Sequence, residues 1–483
     1  MKSRIMSLGA ERRTDPVRID PVVSTLFDAS MRHFFVSSVP VTCLLLGGLV
    51  SCAEDPGAVP SPDLGTPTAS ANGDDAGVLA DEETPASTMT GPTSAPLDAA
   101  RYPGDFILFA RTNFSINEGG AFGVPANHFF NGEAVQLTDE LDVAFRLTVT
   151  DGLDRALYAA SLSADGDVVG SVVYRTPAEA FLGQLSMNAS GQVAFELRDV
   201  PTPGVFLYDP VTALTSLLSS EPYGVASRSA LRLFHDGGVG FRASFATGRA
   251  HIRWREDGME IFARERGLEA ASEYAFLFSP GFNDVGDAAG QVRFTTTDGN
   301  TEPDAMVLWV RGEEAVELAR DVTRDPSSSF AAFDATAPSI NARRQVAFVA
   351  TLVDGVRGVF LAGEGSVITL ASTAHPELDD IEPFGPDLND DGHVAFRAMT
   401  PTGRAIFVAD GKALVRVVGE HDLVPTDLGT AKIDEHLDDA PVFDGPPKLN
   451  RHGDVAFLCA LTPPDDAQTE WGTGVFVARA ARP

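Results

Sequence analysis

The sequence has few cysteines and almost no lysine. Its three cysteines are Cys43, Cys52 and Cys459. The first two lie near the N-terminus and the third stands alone, so no disulfide framework is predicted and Cys459 is expected to be a small core residue. The chain has only four lysines, and its formal net charge is −32. A surface this acidic argues against nucleic acid as a partner and against direct docking on anionic lipid.

Known catalytic motifs are missing as well. The chain contains no Gly-x-Ser-x-Gly, no His-Glu-x-x-His and no phosphate-binding glycine loop. It also has no long segment with the 3.6-residue apolar period of a helix. These absences remove positive indications of an enzyme, but they do not exclude a site whose residues come from several loops.

One short motif recurs along the chain. The pattern Asn-x-x-Gly-x-x-Ala-Phe is clearest at Asn389–Phe396 and returns, with drift, six more times. Only the Phe is present in all seven copies, at 145, 195, 241, 294, 348, 396 and 457. In the copy that ends at Phe294, we align Asp287 with the Asn and Gly290 with the Gly. Spacings of 46 to 61 residues are typical of a repeat architecture.

The motif predicts a turn followed by a strand. Asn389 starts the turn, and Gly392 supplies a positive φ. Val394 and Phe396 then share one face of a strand, while Ala395 faces the other way and lets a neighbouring sheet approach. Each unit holds about four short strands separated by turn signals. We therefore predict an all-β fold, a β-propeller of seven blades with about four strands each.

The two ends of the repeat region predict how the ring closes. The chain stops just after the second strand of the last unit, Gly474–Val477, so the last blade lacks its later strands. The strand-like stretch Phe106–Ala110 belongs to no complete unit. We expect it to pair into the last blade and close the ring, which leaves no large open sheet edge. The alternative is that Phe106–Asn131 begins an eighth blade.

The N-terminal region has the features of an exported chain. Residues 1–30 are polar and mixed, and we interpret them as an upstream extension before the start at Met31. Residues 31–52 contain a short basic region, an apolar run and small residues, as in a signal peptide. Residues 53–103 are rich in Pro, Ser, Thr and acidic residues and are predicted to be a disordered linker. The propeller then occupies residues 104–483.

The end of the signal peptide resembles the lipobox of bacterial lipoproteins. The matching residues are Leu49-Val50-Ser51-Cys52. The resemblance implies that Cys52 is lipidated and holds the protein on a membrane, most simply as an outer-membrane or cell-surface lipoprotein. The alternative is an ordinary signal peptide in which Cys52 is incidental.

Two kinds of acidic loop are candidates for metal binding. Asp387, Asn389 and Asp391 offer oxygen atoms at positions one, three and five of a loop with Gly392 at six, which is the opening pattern of a calcium site. Position twelve is Ala398, so an EF-hand is excluded; the alternative is a purely structural turn. Two further loops, His375–Asp380 and Asp434–Asp439, each place one His among acids and could take a divalent cation.

The repeat also resembles a bacterial tandem-repeat family that is known for the Asn-x-x-Gly-x-x-Ala-Phe motif. The resemblance covers about residues 130–480, and Gly419–Pro425 is similar to a loop that closes units in that family. It implies a surface location and a repeat architecture, and it implies no catalytic residue. We thus carry three hypotheses: a non-enzymatic module that binds an envelope protein or polysaccharide, a polysaccharide hydrolase or lyase whose site comes from several blades, and a purely structural protein.

Overall fold

The computed structural model describes residues 99–482, apart from 113–119, 127, 131–134, 150–154, 178–179, 213, 221–223, 257, 297–301, 364, 436–440 and 467. The predicted signal peptide, Cys52 and most of the linker lie outside the described residues. Within them, one 3-10 turn, Ala99–Arg101, precedes a chain built of strands. No helix in this part has the length and apolar character needed to cross a membrane.

The strands form seven small antiparallel sheets, which are the blades of a propeller. The N-terminal strand β1 is Phe106–Arg111. The first three blades contain the following strands: in blade 1, β2 (His128–Phe130), β3 (Gln136–Leu137), β4 (Val143–Val149), β5 (Arg155–Leu162) and β6 (Val168–Arg175); in blade 2, β7 (Phe181–Met187), β8 (Val193–Arg198), β9 (Gly204–Asp209) and β10 (Leu214–Ser220); and in blade 3, β11 (Ser227–Leu233), β12 (Val239–Phe245), β13 (Gly248–Arg255) and β14 (Gly258–Arg264).

The next three blades follow the same plan. Their strands are, in blade 4, β15 (Tyr274–Leu277), β16 (Gly281–Phe282), β17 (Ala288–Phe294), β18 (Asp304–Trp309) and β19 (Val316–Arg320); in blade 5, β20 (Phe330–Phe333), β21 (Ser339–Ile340), β22 (Val346–Leu352), β23 (Arg357–Gly363) and β24 (Ser366–Ser372); and in blade 6, β25 (Asp380–Ile381), β26 (Asp387–Leu388), β27 (Val394–Thr400), β28 (Gly403–Ala409) and β29 (Leu414–Gly419).

Blade 7 is made from both ends of the propeller. It contains β30 (Leu423–Thr426), β31 (Gly429–Ile433), β32 (Phe443–Leu449), β33 (Val455–Thr462) and β34 (Gly472–Ala478), together with β1. We call the strands of each blade a, b, c and d from the channel outward. Strand a is a split strand in blades 1, 4, 5 and 6, where two short pieces pair with strand b.

The N-terminal strand closes the ring, as predicted. β1 pairs antiparallel with β34, with Phe106 opposite Ala478 and Ile107 opposite Val477. It is therefore strand d of blade 7. The a strands of neighbouring blades touch at every one of the seven junctions, including that of blade 7 with blade 1. Since β2 and β3 already belong to blade 1, the propeller has seven blades and not eight.

The apolar core lies between neighbouring blades. Residues of the motif face both ways from strand b and pack against the blade on each side. Phe396 clusters with apolar residues of blade 5, whereas Ala395 clusters with those of blade 7. Both are fully or almost fully buried, and the Phe396 ring stacks on Phe407 of strand c at 5.9 Å. Burial of one such Phe stabilises the fold by about 2–3 kcal/mol. Cys459 is buried in this core as predicted, and burial raises the pKa of its thiol.

Asparagine side chains join the blades at the turn between strands a and b. The Oδ1 of Asn389 accepts the backbone N–H groups of Asp391 (3.1 Å) and His393 (3.0 Å), which closes its own turn. Its Nδ2 donates to the backbone carbonyl of Asn450 in the next blade, at 3.2 Å. Equivalent bonds between blades join Asn283 to Asn341, Asn341 to Asn389, and Asn450 to Thr138.

The alignment of blade 4 with the motif was wrong by four residues. Its turn begins at Asn283, not Asp287, because the N–H of Gly286 bonds to the Asn283 carbonyl and the Asn283 amide reaches blade 5. The Phe of the motif is thereby replaced by Gly290. A Cβ there would lie 3.2 Å from the His251 ring and 3.4 Å from that of Trp309, so these two rings fill the space. Phe294 lies further along β17.

His251 is a titratable group in this core. It is fully buried between blades 3 and 4, with its Nε2 donating to the Phe278 carbonyl at 2.9 Å. Within the described residues, Nδ1 has no hydrogen-bond partner. Burial is the main cause that lowers the pKa of His251 to about 4. The folded protein therefore keeps this imidazole neutral at pH values where the unfolded chain protonates it.

We expect the asparagine bond between blades to be measurable with a matched pair of variants. Asn389→Asp keeps the oxygen that closes the turn and removes the amide that reaches blade 7. It should lower the free energy of unfolding by about 1–2 kcal/mol more than Asn188→Asp does. The Asn188 amide bonds to Gln192 in its own blade, so this variant is the control. Equal losses in chemical denaturation would contradict a role between blades.

We also expect His251 to make stability depend on pH. An unfolded histidine, with a pKa of about 6.5, binds a proton as the pH falls below that value. The folded protein does so only near pH 4, so the stability due to neutral His251 is complete above pH 6.5 and is lost down to pH 4. His251→Gln should remove about 3 kcal/mol of this dependence in denaturation curves. If the free energy of unfolding falls with pH equally in the wild type and in His251→Gln, the prediction is refuted.

Candidate functional site

The two ends of the propeller carry different turns and different side chains. Since strands in a blade alternate in direction, the a–b and c–d turns lie at one end and the b–c and d–a segments at the other. The Asn turns occupy the first end. We call the second the loop end. Arginines, carboxylates and half-buried phenylalanines meet at the loop end, which makes it the candidate site.

A recurring pair of hydrogen bonds fixes the loop end. The N–H of Thr176, after strand d of blade 1, bonds to the Arg155 carbonyl at 2.9 Å, and its Oγ1 accepts the Arg155 N–H at 3.0 Å. The same reciprocal pair recurs in four other blades: Glu265–Arg249, Thr373–Arg357, Glu420–Arg404 and Thr112–Thr473. The hydroxyl or carboxylate thus anchors the start of strand c.

In four blades the residue held in this way is an arginine that extends toward the a strands. Arg249 pairs with Glu265 at 3.0 Å. Arg404 pairs with Glu382 at 3.3 Å, and Arg357 pairs with Asp334 and Asp380. The arginine of blade 1, Arg155, lies instead over the ring of Phe181, 4.3 Å from its centroid. Sequence reasoning missed these arginines because they lie outside the motif.

In three blades, another arginine comes directly after the Phe of the motif. These arginines donate to backbone carbonyls of the a strand in the next blade: Arg146 to Leu182 at 2.6 Å, Arg242 to Leu277 at 3.2 Å and Arg397 to Gly445 at 2.9 Å. Bulges in the a strands interrupt their pairing with strand b. The arginines therefore satisfy carbonyl groups that the sheet does not.

Carboxylates gather between blades 4 and 5. Arg293 bonds to Asp304 at 2.9 Å and to Glu302 at 2.6 Å. Asp321 lines the same cleft, and burial is the largest cause that raises the pKa of its carboxyl, with the charge of Asp304 adding to the effect. A carboxyl with a raised pKa beside a carboxylate held by an arginine is suited to proton transfer.

Three potential metal ligands meet near blade 7. Glu420, His421 and Asp434 bring one ligand atom each to within 4.8 Å of one another. Asp434 belongs to the predicted acidic loop Asp434–Asp439. The histidine that the structure places beside Asp434 is His421. His436, the histidine of the predicted loop, lies outside the described residues. The ammonium of Lys432 is 2.6 Å from Asp434, and one Glu420 oxygen accepts the Arg404 N–H. Two of the three ligands are therefore already bonded within the protein, and metal binding at this loop stays a prediction.

The residues predicted to bind calcium lie at the opposite end. The two oxygens of Asp387 contact blade 7, one the Lys448 ammonium and the other the Leu449 N–H, both at 2.7 Å. The Asn389 oxygen closes the turn. Asp391 is exposed, and calcium binding here stays a prediction. In the other acidic loop, the His375 ring accepts the Glu377 N–H at 3.3 Å.

The comparison with protein families gives one match. Residues 220–481 match a family of unknown function, DUF7453. The chain belongs to this family. In the propeller, the matched residues correspond to blades 3 to 7, apart from strand β1 of blade 7. No curated protein matches the sequence. The family description assigns no activity to its members, so the function of this DUF7453 protein has to be argued from its geometry.

Similar solved structures include a lectin, peptidases and lyases. TolB from Acinetobacter baumannii has 11% identity and a TM-score of 0.35, over 60% of this chain and 79% of that one. Oligogalacturonate lyase from Vibrio parahaemolyticus has 12% identity and a TM-score of 0.39, over 67% and 96%. Polysaccharide lyase Uly1 has 10% identity and a TM-score of 0.43, over 76% and 92%.

The two interpretations of the Asp387 turn predict different effects of calcium. If Asp387 serves only to hold blade 7, Asp387→Ala should lower the free energy of unfolding by about 2 kcal/mol, because the Leu449 N–H loses its partner. The loss should be equal in calcium and in chelator. A calcium-dependent rise in melting midpoint that Asp391→Ala abolishes would instead establish the calcium site.

Proposed function

We propose that the protein is a lipid-anchored, extracytoplasmic binding module of the cell envelope, and that its ligand is a glycan bound at the loop end of the propeller. The observation that carries the proposal is a set of half-buried phenylalanines at this end, each with an arginine over its ring. The distances from guanidinium to ring centroid are 3.9 Å for Arg198 on Phe181, 4.1 Å for Arg249 on Phe276 and 3.9 Å for Arg397 on Phe384.

Such pairs suit the recognition of sugars. A guanidinium that lies over an aromatic ring is fixed in orientation, so its N–H groups point in set directions. A sugar presents hydroxyl or carboxylate oxygens to such donors and an apolar face to the ring. Because the side chains are already ordered, little rotamer entropy is lost on binding. The acidic surface elsewhere makes nucleic acid a poor rival.

The anchor would keep this site close to the envelope. The lipobox-like sequence at Cys52 supports attachment by lipid, and the composition of residues 53–103 supports a flexible tether. A flexible chain of that length has a root-mean-square span of roughly 40 Å. A tethered propeller can then reach polysaccharides at or near the membrane surface without a rigid orientation.

A second candidate is an enzyme that acts on the same class of ligand. The observation that favours it is the cleft with Asp304, Asp321 and Arg293, where one carboxyl has a raised pKa and another is held by an arginine. A hydrolase or lyase needs groups of these kinds to move protons. This candidate differs from the first in one observable, the conversion of the polysaccharide into product.

One experiment tests the anchor and the binding together. Wild-type chain expressed in a bacterium should sediment with membranes, and Cys52→Ser should be soluble because it lacks the lipid. The melting midpoint of the soluble variant should rise with at least one of a panel of bacterial envelope polysaccharides. Binding to the folded state adds about 2.7 kcal/mol of stability at a ligand concentration of 100 Kd.

The controls separate the rivals. Dextran at equal viscosity should leave the midpoint unchanged. Consumption of a polysaccharide, with product seen by chromatography, would favour the enzyme. A flat midpoint with the whole panel, together with recovery of an envelope protein by the membrane-bound wild type, would replace the glycan by a protein ligand. Sedimentation of Cys52→Ser with the membranes would refute the lipid anchor.

A further inference from the structure

Blade 4 reverses the charge found at the loop end of its neighbours. In blades 1, 3, 5 and 6, the N–H of the residue after strand d bonds to the carbonyl of an arginine at the start of strand c. In blade 4 the same backbone bond joins the Asp321 N–H to the Asp304 carbonyl at 3.0 Å. The backbone frame is therefore kept, while two carboxyl groups take the places of the arginine and of the threonine or glutamate bonded to it.

Two carboxylates at this place are already paired with one arginine. The Arg293 guanidinium donates to both oxygens of Asp304, at 2.9 and 3.2 Å, and to Glu302 at 2.6 Å. The Gln291 amide adds a further bond to Asp304 at 2.8 Å. All three nitrogens of the Arg293 guanidinium are thus engaged by Asp304 and Glu302.

Asp321 has no ion-pair partner among the described residues. It is buried, and its carboxyl accepts the backbone N–H of Arg324 at 2.7 Å. The residues of 104–482 that lie outside the described set contain no lysine or arginine, so they supply no such partner either. Burial is the largest cause that raises the pKa of the Asp321 carboxyl, and the charge of Asp304 adds to the effect. The ionised form of Asp321 therefore gains from any cation that enters the cleft.

The cleft beside Asp321 is lined by small residues of the next blade. Ala331 and Ala332 of blade 5 are both exposed there, and Thr323 completes the lining with the groups already named. Ala332 pairs with Thr351, three places after the Phe of the motif. In blades 1, 2 and 4 the a-strand residue at this place is a Phe, namely Phe129, Phe181 and Phe276.

The space left by the missing ring is large enough for a sugar. The cleft has a volume of about 420 Å³, and small-molecule sites have volumes of roughly 300–1,000 Å³. One wall is formed by alanine methyl groups and the other by carboxyl groups and Arg293. A ligand with one apolar face and several polar groups fits such a pair of walls.

We propose that this cleft between blades 4 and 5 binds an amino sugar of a glycan, with the protonated amino group of the sugar against Asp321. The ammonium would be the cation that pairs with this carboxylate, and the two alanines would contact the apolar face of the sugar ring. This inference rests on the proposed function and names its ligand class. The cleft is taken as a binding site, whereas the second candidate would use the same carboxyl for proton transfer.

An ammonium group suits the cleft better than a divalent metal ion. Calcium takes about six to eight oxygen ligands, but both Asp304 oxygens already accept hydrogen bonds from Arg293. A divalent ion would also be repelled by the Arg293 guanidinium more strongly than a singly charged group. An ammonium donates several hydrogen bonds and needs only one carboxylate with neighbouring oxygens. Asp321, Glu302 and Thr323 offer such oxygens along the cleft.

The acidic surface attracts cationic ligands in general, so a test has to separate Asp321 from the other acids. The formal net charge of −32 favours the approach of any cation. Exposed charges are screened over about 8 Å at physiological ionic strength. Binding that persists at this salt concentration and depends on one buried carboxyl is therefore specific to the cleft.

The test compares an amino-oligosaccharide with its acetylated counterpart. The soluble full chain with Cys52→Ser, the parent, is titrated at physiological ionic strength with a short glucosamine oligosaccharide and with the same oligosaccharide after acetylation of its amino groups. We expect the free-amine form to bind more tightly, because acetylation removes its charge. Asp321→Asn should weaken binding of this form by on the order of tenfold or more, since hydrogen bonds between charged groups are strong. Binding of the acetylated form should be unchanged.

Two further variants keep the result interpretable. Asp380→Asn removes the same charge from an exposed residue of the loop end whose partner is Arg357, and it should leave binding as it is. Ala332→Phe restores the ring found in blades 1, 2 and 4 and should abolish binding by filling the cleft. Melting midpoints near that of the parent verify that each variant folds.

Several outcomes would overturn the subsite. These are equal binding of the two forms, parent affinity in Asp321→Asn, or an equal loss in Asp380→Asn, which would make the attraction a property of the whole acidic surface. Tighter binding of a lysine peptide than of the amino-oligosaccharide would replace the sugar by a protein amine. If only acetylated or other uncharged glycans bind, the subsite is refuted while the glycan-binding function stands. If no glycan binds at all, both fall.

Discussion

The propeller depends on one side-chain amide that acts in two directions. The oxygen of Asn389 closes its own turn, and the nitrogen of the same amide donates to the carbonyl of the corresponding residue in the next blade. Four successive junctions are joined in this way. The bonds hold the a strands close to one another, and at some positions no side chain would fit. At Gly281, for example, a Cβ would lie 2.2 Å from the Pro338 carbonyl oxygen.

Where the amide is missing, other polar contacts join the blades. Thr138 and Phe234 occupy the Asn position in blades 1 and 3. Blade 1 reaches blade 2 through the Gln136 side chain, which accepts the Met187 N–H at 3.3 Å. Blade 3 reaches blade 4 through an ion pair of Arg232 and Asp284 at 2.7 Å. Polar contacts therefore join the blades at both ends of the ring, through the turns between strands a and b at one end and through Arg146, Arg242 and Arg397 at the loop end.

Much of the fold could be predicted because it follows from local pattern. The recurring Phe marks strand b, and the unmatched strand at Phe106 required a partner. Blade 4 was misaligned because the space of its missing Phe is filled by His251, from another blade, and by Trp309, which no pattern in one segment reveals. The arginines of the loop end were missed because they lie outside the motif, and their partners lie in other strands or turns of the same or the next blade. Calcium binding at Asp387 stays a prediction.

The position of β1 has a consequence for how the protein is made. This strand is the first of the propeller to leave the ribosome, and its partner β34 is the last. Their contact closes a loop that spans the whole domain, which is entropically slow to form. Blades 1 to 6 can assemble in order, each on its predecessor, whereas blade 7 has to wait for both chain ends. Completion of the ring is therefore a late folding event, and a chain truncated before β34 would leave β1 unpaired.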